Sequence, residues 1–76
     1  MTAQHEASVA ALIASVLNIP TAAVGSDASM DSLPEWDSLA QLNICLAFQE
    51  HFNVAMDMET IAESTSVTSL AALLPD

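Results

Sequence analysis

The segment Leu33-Pro34-Glu35-Trp36-Asp37-Ser38-Leu39, continued in unbroken helical period to Phe52, decides the fold. Pro34 and the polar residues before it belong to a loop, and from Ser38 onward apolar residues recur at helical rather than strand spacing. At about 100° per residue, Ile44, Cys45, Phe48 and Phe52 share one side of a helix spanning Ser38 to Phe52. Leu39, Leu42 and Leu46 share nearly the opposite side. A helix on the outside of a small bundle needs one apolar stripe, and the stripe with two phenylalanines predicts the core face. The leucine stripe is then expected to stay at least partly exposed, as interaction surfaces do. A helix buried on both sides is the alternative, since helices apolar all round are usually interior.

Working outward, Ala3 to Leu17 places Val9, Leu12, Ile13, Val16 and Leu17 on one helical face, with Thr2 as a plausible cap. Asn18 tolerates the left-handed position after a helix and Pro20 blocks continuation, so a stop is expected there. From Asn18 to Asp37 no period survives, and a structureless connection of that length is often functional. Val24, Met30, Leu33 and Trp36 are expected to pin this loop to the bundle. Asn53 should close the second helix. A short third helix fits Asp57 or Met58 to Glu63, with Ile61 inward and Glu59 and Glu63 in solvent. Thr65 or Ser66 can cap a fourth, whose apolar face is Val67, Leu70, Leu73 and Leu74 before Pro75. The sum is a single all-α domain over residues 1–76, a four-helix bundle with a long loop between helices one and two and a short helix three.

Composition narrows the function. The chain of 76 residues has no lysine or arginine against ten carboxylates, a formal net charge of −10. Nucleic-acid binding needs cations on phosphates and is close to excluded; anionic membrane surfaces are disfavoured for the same reason. A partner with a basic patch would be steered in quickly. Crowding by like charge is expected to raise carboxylate pKa values in the fold. Cys45 is the single cysteine, so no internal disulfide forms, and its mid-helix place predicts a small buried apolar residue. No basic residue precedes the first apolar helix and no apolar run reaches membrane-spanning length, which predicts a cytoplasmic protein. The acids Asp27, Asp31, Glu35 and Asp37 crowd the loop, but their spacing does not match a calcium loop, and no metal site is expected.

Ser38 stands where the loop turns into the second helix. Asp37 or Ser38 can serve there as an ordinary N-cap. The first turn also offers unpaired backbone N–H groups and the positive end of the helix dipole, a setting suited to an anion. A serine hydroxyl is a poor nucleophile without a base held beside it. The two histidines, His5 and His51, lie far from Ser38 in sequence, and there is no Gly-x-Ser-x-Gly elbow. Chemistry at Ser38 is therefore expected to be done by another protein. The chain reads as a substrate and shuttle, with no catalytic residues of its own.

The Asp37-Ser38-Leu39 triplet at a helix start, the helix ending in Phe52 and the segment Glu59-Thr60-Ile61-Ala62 together resemble the acyl carrier protein family, from about Val9 to Leu74. The resemblance implies a 4′-phosphopantetheine arm attached to Ser38 and acyl intermediates carried on it as thioesters between the enzymes of a biosynthetic pathway. It implies as partners a phosphopantetheinyl transferase and acyl-loading and acyl-processing enzymes with basic and apolar docking patches. Asp37, Leu39, Leu42, Leu46, Glu35, Glu59 and Glu63 are the expected partner-binding residues, and a monomer is expected. An aminoacyl or peptidyl carrier with the same arm, or an unmodified carrier-like adaptor, remain the other readings.

The chain departs from the family pattern in informative places. Glu35 and Trp36 stand before the triplet where many carriers have a glycine two residues ahead of the aspartate. This Glu-Trp-Asp-Ser-Leu form is similar to a subset of free-standing carriers. Gln41, Asn43 and Gln49 occupy second-helix positions where acids are common. Phe48, where a leucine is frequent, would fill space that a sequestered acyl chain could use. Together these features point toward a dedicated pathway rather than housekeeping fatty-acid synthesis.

Overall fold

The computed structural model describes residues 2–75, with the side chains of residues 2 and 3 outside that description. Four α-helices follow one another: α1 Thr2–Leu17, α2 Ser38–Phe52, α3 Met58–Glu63 and α4 Val67–Ala71, with a 3-10 turn at Thr21–Ala23 between the first two. The described residues form no strand beyond one isolated antiparallel bridge, Ser29 with Ser66. The helix starts and stops lie where their chemistry puts them. Asn18 and Asn53 both adopt the left-handed conformation, φ 57°, that ends a helix. Asp57 caps α3 through Oδ1, which accepts the Thr60 N–H at 2.8 Å. Ser66 caps α4 in a reciprocal box with Ser69. The cap expected at Thr2 lies outside the described side chains, and α1 already includes that residue.

α1 packs against α2 and α4, and α3 leans on α2. The centre is one apolar cluster in which Val9, Ile13, Ile44, Cys45, Phe48, Val67 and Leu70 are wholly enclosed and Trp36 nearly so. On α1 the innermost stripe is Val9, Ala10, Ile13 and Ala14, while Leu12, Val16 and Leu17 sit half-buried at its edges. The alanines let the helices approach closely. The long loop is held down as expected, with Val24 and Trp36 buried and Met30 and Leu33 half-buried. Two backbone bonds also tie it to the start of α4: Met30 N–H to Thr65 O at 2.9 Å and Val67 N–H to Ala28 O at 3.0 Å. This stitching satisfies loop amides that would otherwise be left unpaired.

Two expectations need correction. α4 ends at Ala71, and Leu73 and Leu74 lie half-buried in the turns after it, their N–H groups bonded to Leu70 O and Ala71 O. The shorter three-residue bonds tighten the chain once Pro75 is near. Phe52 is half-buried rather than central; it closes the core edge, its ring 4.9 Å from that of Phe48, with His51 edge-on at 4.7 Å. As the last residue of α2 it reaches past the end of the packed cluster.

Candidate functional site

The loop delivers Ser38 to the first helical position of α2, where its side chain is exposed. The cap is Asp37, whose Oδ1 accepts the Ala40 N–H at 2.8 Å, while its carbonyl accepts the Gln41 N–H at 2.8 Å. With that capping role filled by its neighbour, the Ser38 hydroxyl is left facing solvent. The earliest N–H groups of a helix have no intrahelical acceptor, so the positive end of the α2 dipole opens at this hydroxyl. A phosphodiester on the Ser38 oxygen fits such a place without a lysine or arginine, and the chain has neither.

From Ser38 the leucine stripe runs down the outside of α2. Leu39 is 68 % exposed, Leu42 47 % and Leu46 55 %, so the helix is not buried on both sides. Ile44, Cys45 and Phe48 fill the opposite face with no exposure at all. Burial pushes the Cys45 thiol pKa up, which keeps it an inert apolar group. Glu35, in the loop, is exposed, as are Glu59 and Glu63 one turn apart on α3. Met58, at the start of α3, is the most exposed large apolar residue among those described, at 87 %. The site is thus an exposed hydroxyl at the end of an apolar ridge, with carboxylates on the loop before it and on the short helix beside α2.

Asp57 runs against the expectation that crowding raises carboxylate pKa values. The Thr60 side chain and then the Thr60 backbone N–H hold its carboxyl below the usual aspartate range. Capping dominates there because both donors bind the charged form.

Gln41, which stands where acids are common in the family, does not belong to the acidic outer surface. It is buried: its Oε1 accepts the Trp36 indole N–H at 2.7 Å. Its Nε2 donates to Ile61 O at 2.7 Å and Ser64 O at 2.8 Å and lies 3.3 Å from the Cys45 sulfur. The helical period could have found it, since its angular position falls among Ile44, Phe48 and Phe52. Gln49 is similarly internal in part, its Oε1 accepting the Met56 N–H at 3.1 Å. Asn43 alone of the three faces water.

Among the described residues no histidine or carboxylate is hydrogen-bonded to the Ser38 hydroxyl. His51 stands almost four turns along the same helix, about 20 Å at 1.5 Å per residue. Among the described residues no group of three His, Cys, Asp or Glu side chains is placed to hold a metal ion. No helix among them is long and apolar enough to cross a membrane.

No curated protein matches the chain. The family model for the phosphopantetheine attachment site matches residues 7–74, from the second turn of α1 to the turn after α4. With that match over most of its length, the chain belongs to the phosphopantetheine-attachment family: it is a helical carrier domain, the attachment site for covalent 4′-phosphopantetheine, and not itself catalytic.

Proposed function

We propose that the protein is an acyl carrier whose 4′-phosphopantetheine arm is attached to Ser38. The observation that carries the reading is the exposed Ser38 hydroxyl at the first position of α2, its neighbour Asp37 already serving as cap, in a chain of the attachment family. Attachment forms an Oγ–phosphorus bond as the pyrophosphate bond of coenzyme A breaks. The serine proton goes to a base of the transferase, and the adenosine bisphosphate leaves. The attached group supplies a terminal thiol that holds cargo as a thioester. The chain contributes an accessible hydroxyl, the positive end of a helix and a surface for the enzymes that visit it.

That surface is the ridge Leu39, Leu42 and Leu46, with Asp37, Glu35, Glu59 and Glu63 around it. A partner presenting an apolar groove rimmed by arginine or lysine complements it, since every ionised side chain this protein offers near Ser38 is negative. The partners in this reading are a phosphopantetheinyl transferase and the acyl-loading and acyl-processing enzymes of a dedicated biosynthetic pathway in the cytoplasm, met by a monomer. The enclosed Phe48 ring favours a cargo held outside the bundle.

The test is to isolate the protein from its source cells and measure its intact mass before and after hydroxylamine. An acyl carrier loses a hydroxylamine-labile acyl mass and keeps the arm. A labile amino acid or peptide in its place would make it an aminoacyl or peptidyl carrier, and a protein never modified would be an adaptor.

A further inference from the structure

The Gln41 side chain is the one polar group of α2 that lies in the core, and it bonds to three residues in two other parts of the chain. Its Oε1 holds Trp36, two residues before Ser38, and its Nε2 holds Ile61 O and Ser64 O at the end of α3. A helix of six residues cannot satisfy its own last carbonyls, so part of the C-terminal cap of α3 is supplied by α2. The contacts also fix which way the amide faces, because only this orientation gives the indole an acceptor and the two carbonyls a donor. No buried side-chain nitrogen or oxygen among the described residues lacks a partner. α3 makes few other ties to the bundle: none of its residues is fully buried, and it leans on α2 alone among the helices in any substantial way.

We propose that Gln41 is a positioning residue for the modification and use of Ser38. It locks the segment entering α2 and the short α3 into one arrangement, so that a partner enzyme meets Ser38, the leucine ridge and the α3 carboxylates as a single preformed surface. The inference rests on the assignment of the arm to Ser38. If α3 is free to shift, only a fraction of molecules presents the competent surface, and apparent affinity falls by that fraction. Once bound, the complex is the same. Loss of Gln41 therefore raises KM for the carrier and leaves kcat in place.

The test uses purified protein, coenzyme A and a phosphopantetheinyl transferase, with the carrier as varied substrate. Gln41→Glu keeps the acceptor for Trp36 and removes both donors to α3. Val9→Ala, in the core stripe of α1, is the stability control. Gln41→Glu is expected to raise KM about fivefold or more, the low end of what an unmatched buried amide partner costs, with kcat within about twofold. Val9→Ala is expected to lower the melting temperature with KM unchanged. An unchanged KM in Gln41→Glu, or an equal rise in Val9→Ala, overturns the proposal and leaves Gln41 a stabilising residue only. If Gln41→Glu does not fold, Trp36→Phe decides: it keeps the buried ring and removes one bond of the network, and a KM equal to wild type is contrary to the proposal. Failure of the wild-type protein to be loaded would instead remove the Ser38 assignment.

Discussion

The Trp36 indole N–H donates to Gln41 Oε1 at 2.7 Å, so a loop residue and a helix residue on either side of Ser38 are joined inside the core. The end of the loop before Ser38 is thus tied to α2 from within the core. An exposed hydroxyl is set on a fixed base, and the exposed ridge and the buried face of α2 can be altered separately.

Phe48→Ala should cost about 3–5 kcal/mol, the range for removing a fully buried phenylalanine. A single core in so short a chain rarely supplies more than about 3–5 kcal/mol. The half-buried Phe52 should cost less when cut to alanine, because part of its ring already meets water. Leu42→Asp should shift the melt by no more than about half a kcal/mol while slowing loading by the transferase. Urea melts of the three variants rank the faces directly, and a Leu42→Asp protein that unfolds while Phe48→Ala is tolerated would reverse them.

Removing the cap of α2 should weaken the start of the helix that carries Ser38. Asp37→Ala leaves the Ala40 N–H unbonded and should destabilise by about 0.5–2 kcal/mol, whereas Asp37→Asn keeps an acceptor and should lie close to wild type. Circular dichroism melts distinguish them; equal losses in the two variants would mean that the carboxylate charge, not the cap bond, matters.

Asp57 sets one sign of the pH dependence. Its folded pKa lies below the unfolded value of about 3.9, held down by the Thr60 side chain and N–H. Its contribution is therefore fully present above that value and is lost as pH falls through the folded pKa. The gap in melting temperature between wild type and Asp57→Ala should be constant from pH 7 to about pH 5 and close as the solution is taken below about pH 4. A gap that widens on acidification would contradict the assigned direction.

Salt should stabilise the fold. Ten carboxylates without a lysine or arginine to pair with them repel one another in the compact state. Raising ionic strength from about 0.01 M to about 0.15 M shortens the screening length from about 30 Å to about 8 Å. Thermal melts in sodium chloride should move upward over that range, and a flat or falling series would show that the charges are too far apart to matter.

Much of this was readable in the sequence because it is local. The asparagines at 18 and 53, the start of α3 at Met58, the cap at Ser66 and the two stripes of α2 each follow from a residue and its neighbours within a turn or two. The place of Ser38 at the start of α2 and the exposure of the leucines that follow it were legible for the same reason. What escaped was long-range or hidden by residue type. The polarity of Gln41 gives no sign of its burial, although its angular position lies on the core face. The bonds from Met30 and Ala28 to the start of α4 join segments far apart in the chain, and no period records them. The early end of α4 follows from packing at the chain terminus, where Leu73 and Leu74 reach the core from turns.

The central claim is that Ser38 carries the arm, and fragment mass spectrometry of the protein after incubation with coenzyme A and a phosphopantetheinyl transferase tests it most directly. A single phosphopantetheine addition on the peptide containing Ser38, absent in a Ser38→Ala protein that keeps its helical circular dichroism, is the predicted result. An addition that persists in Ser38→Ala, or that maps to Ser32 or any other hydroxyl, would contradict it.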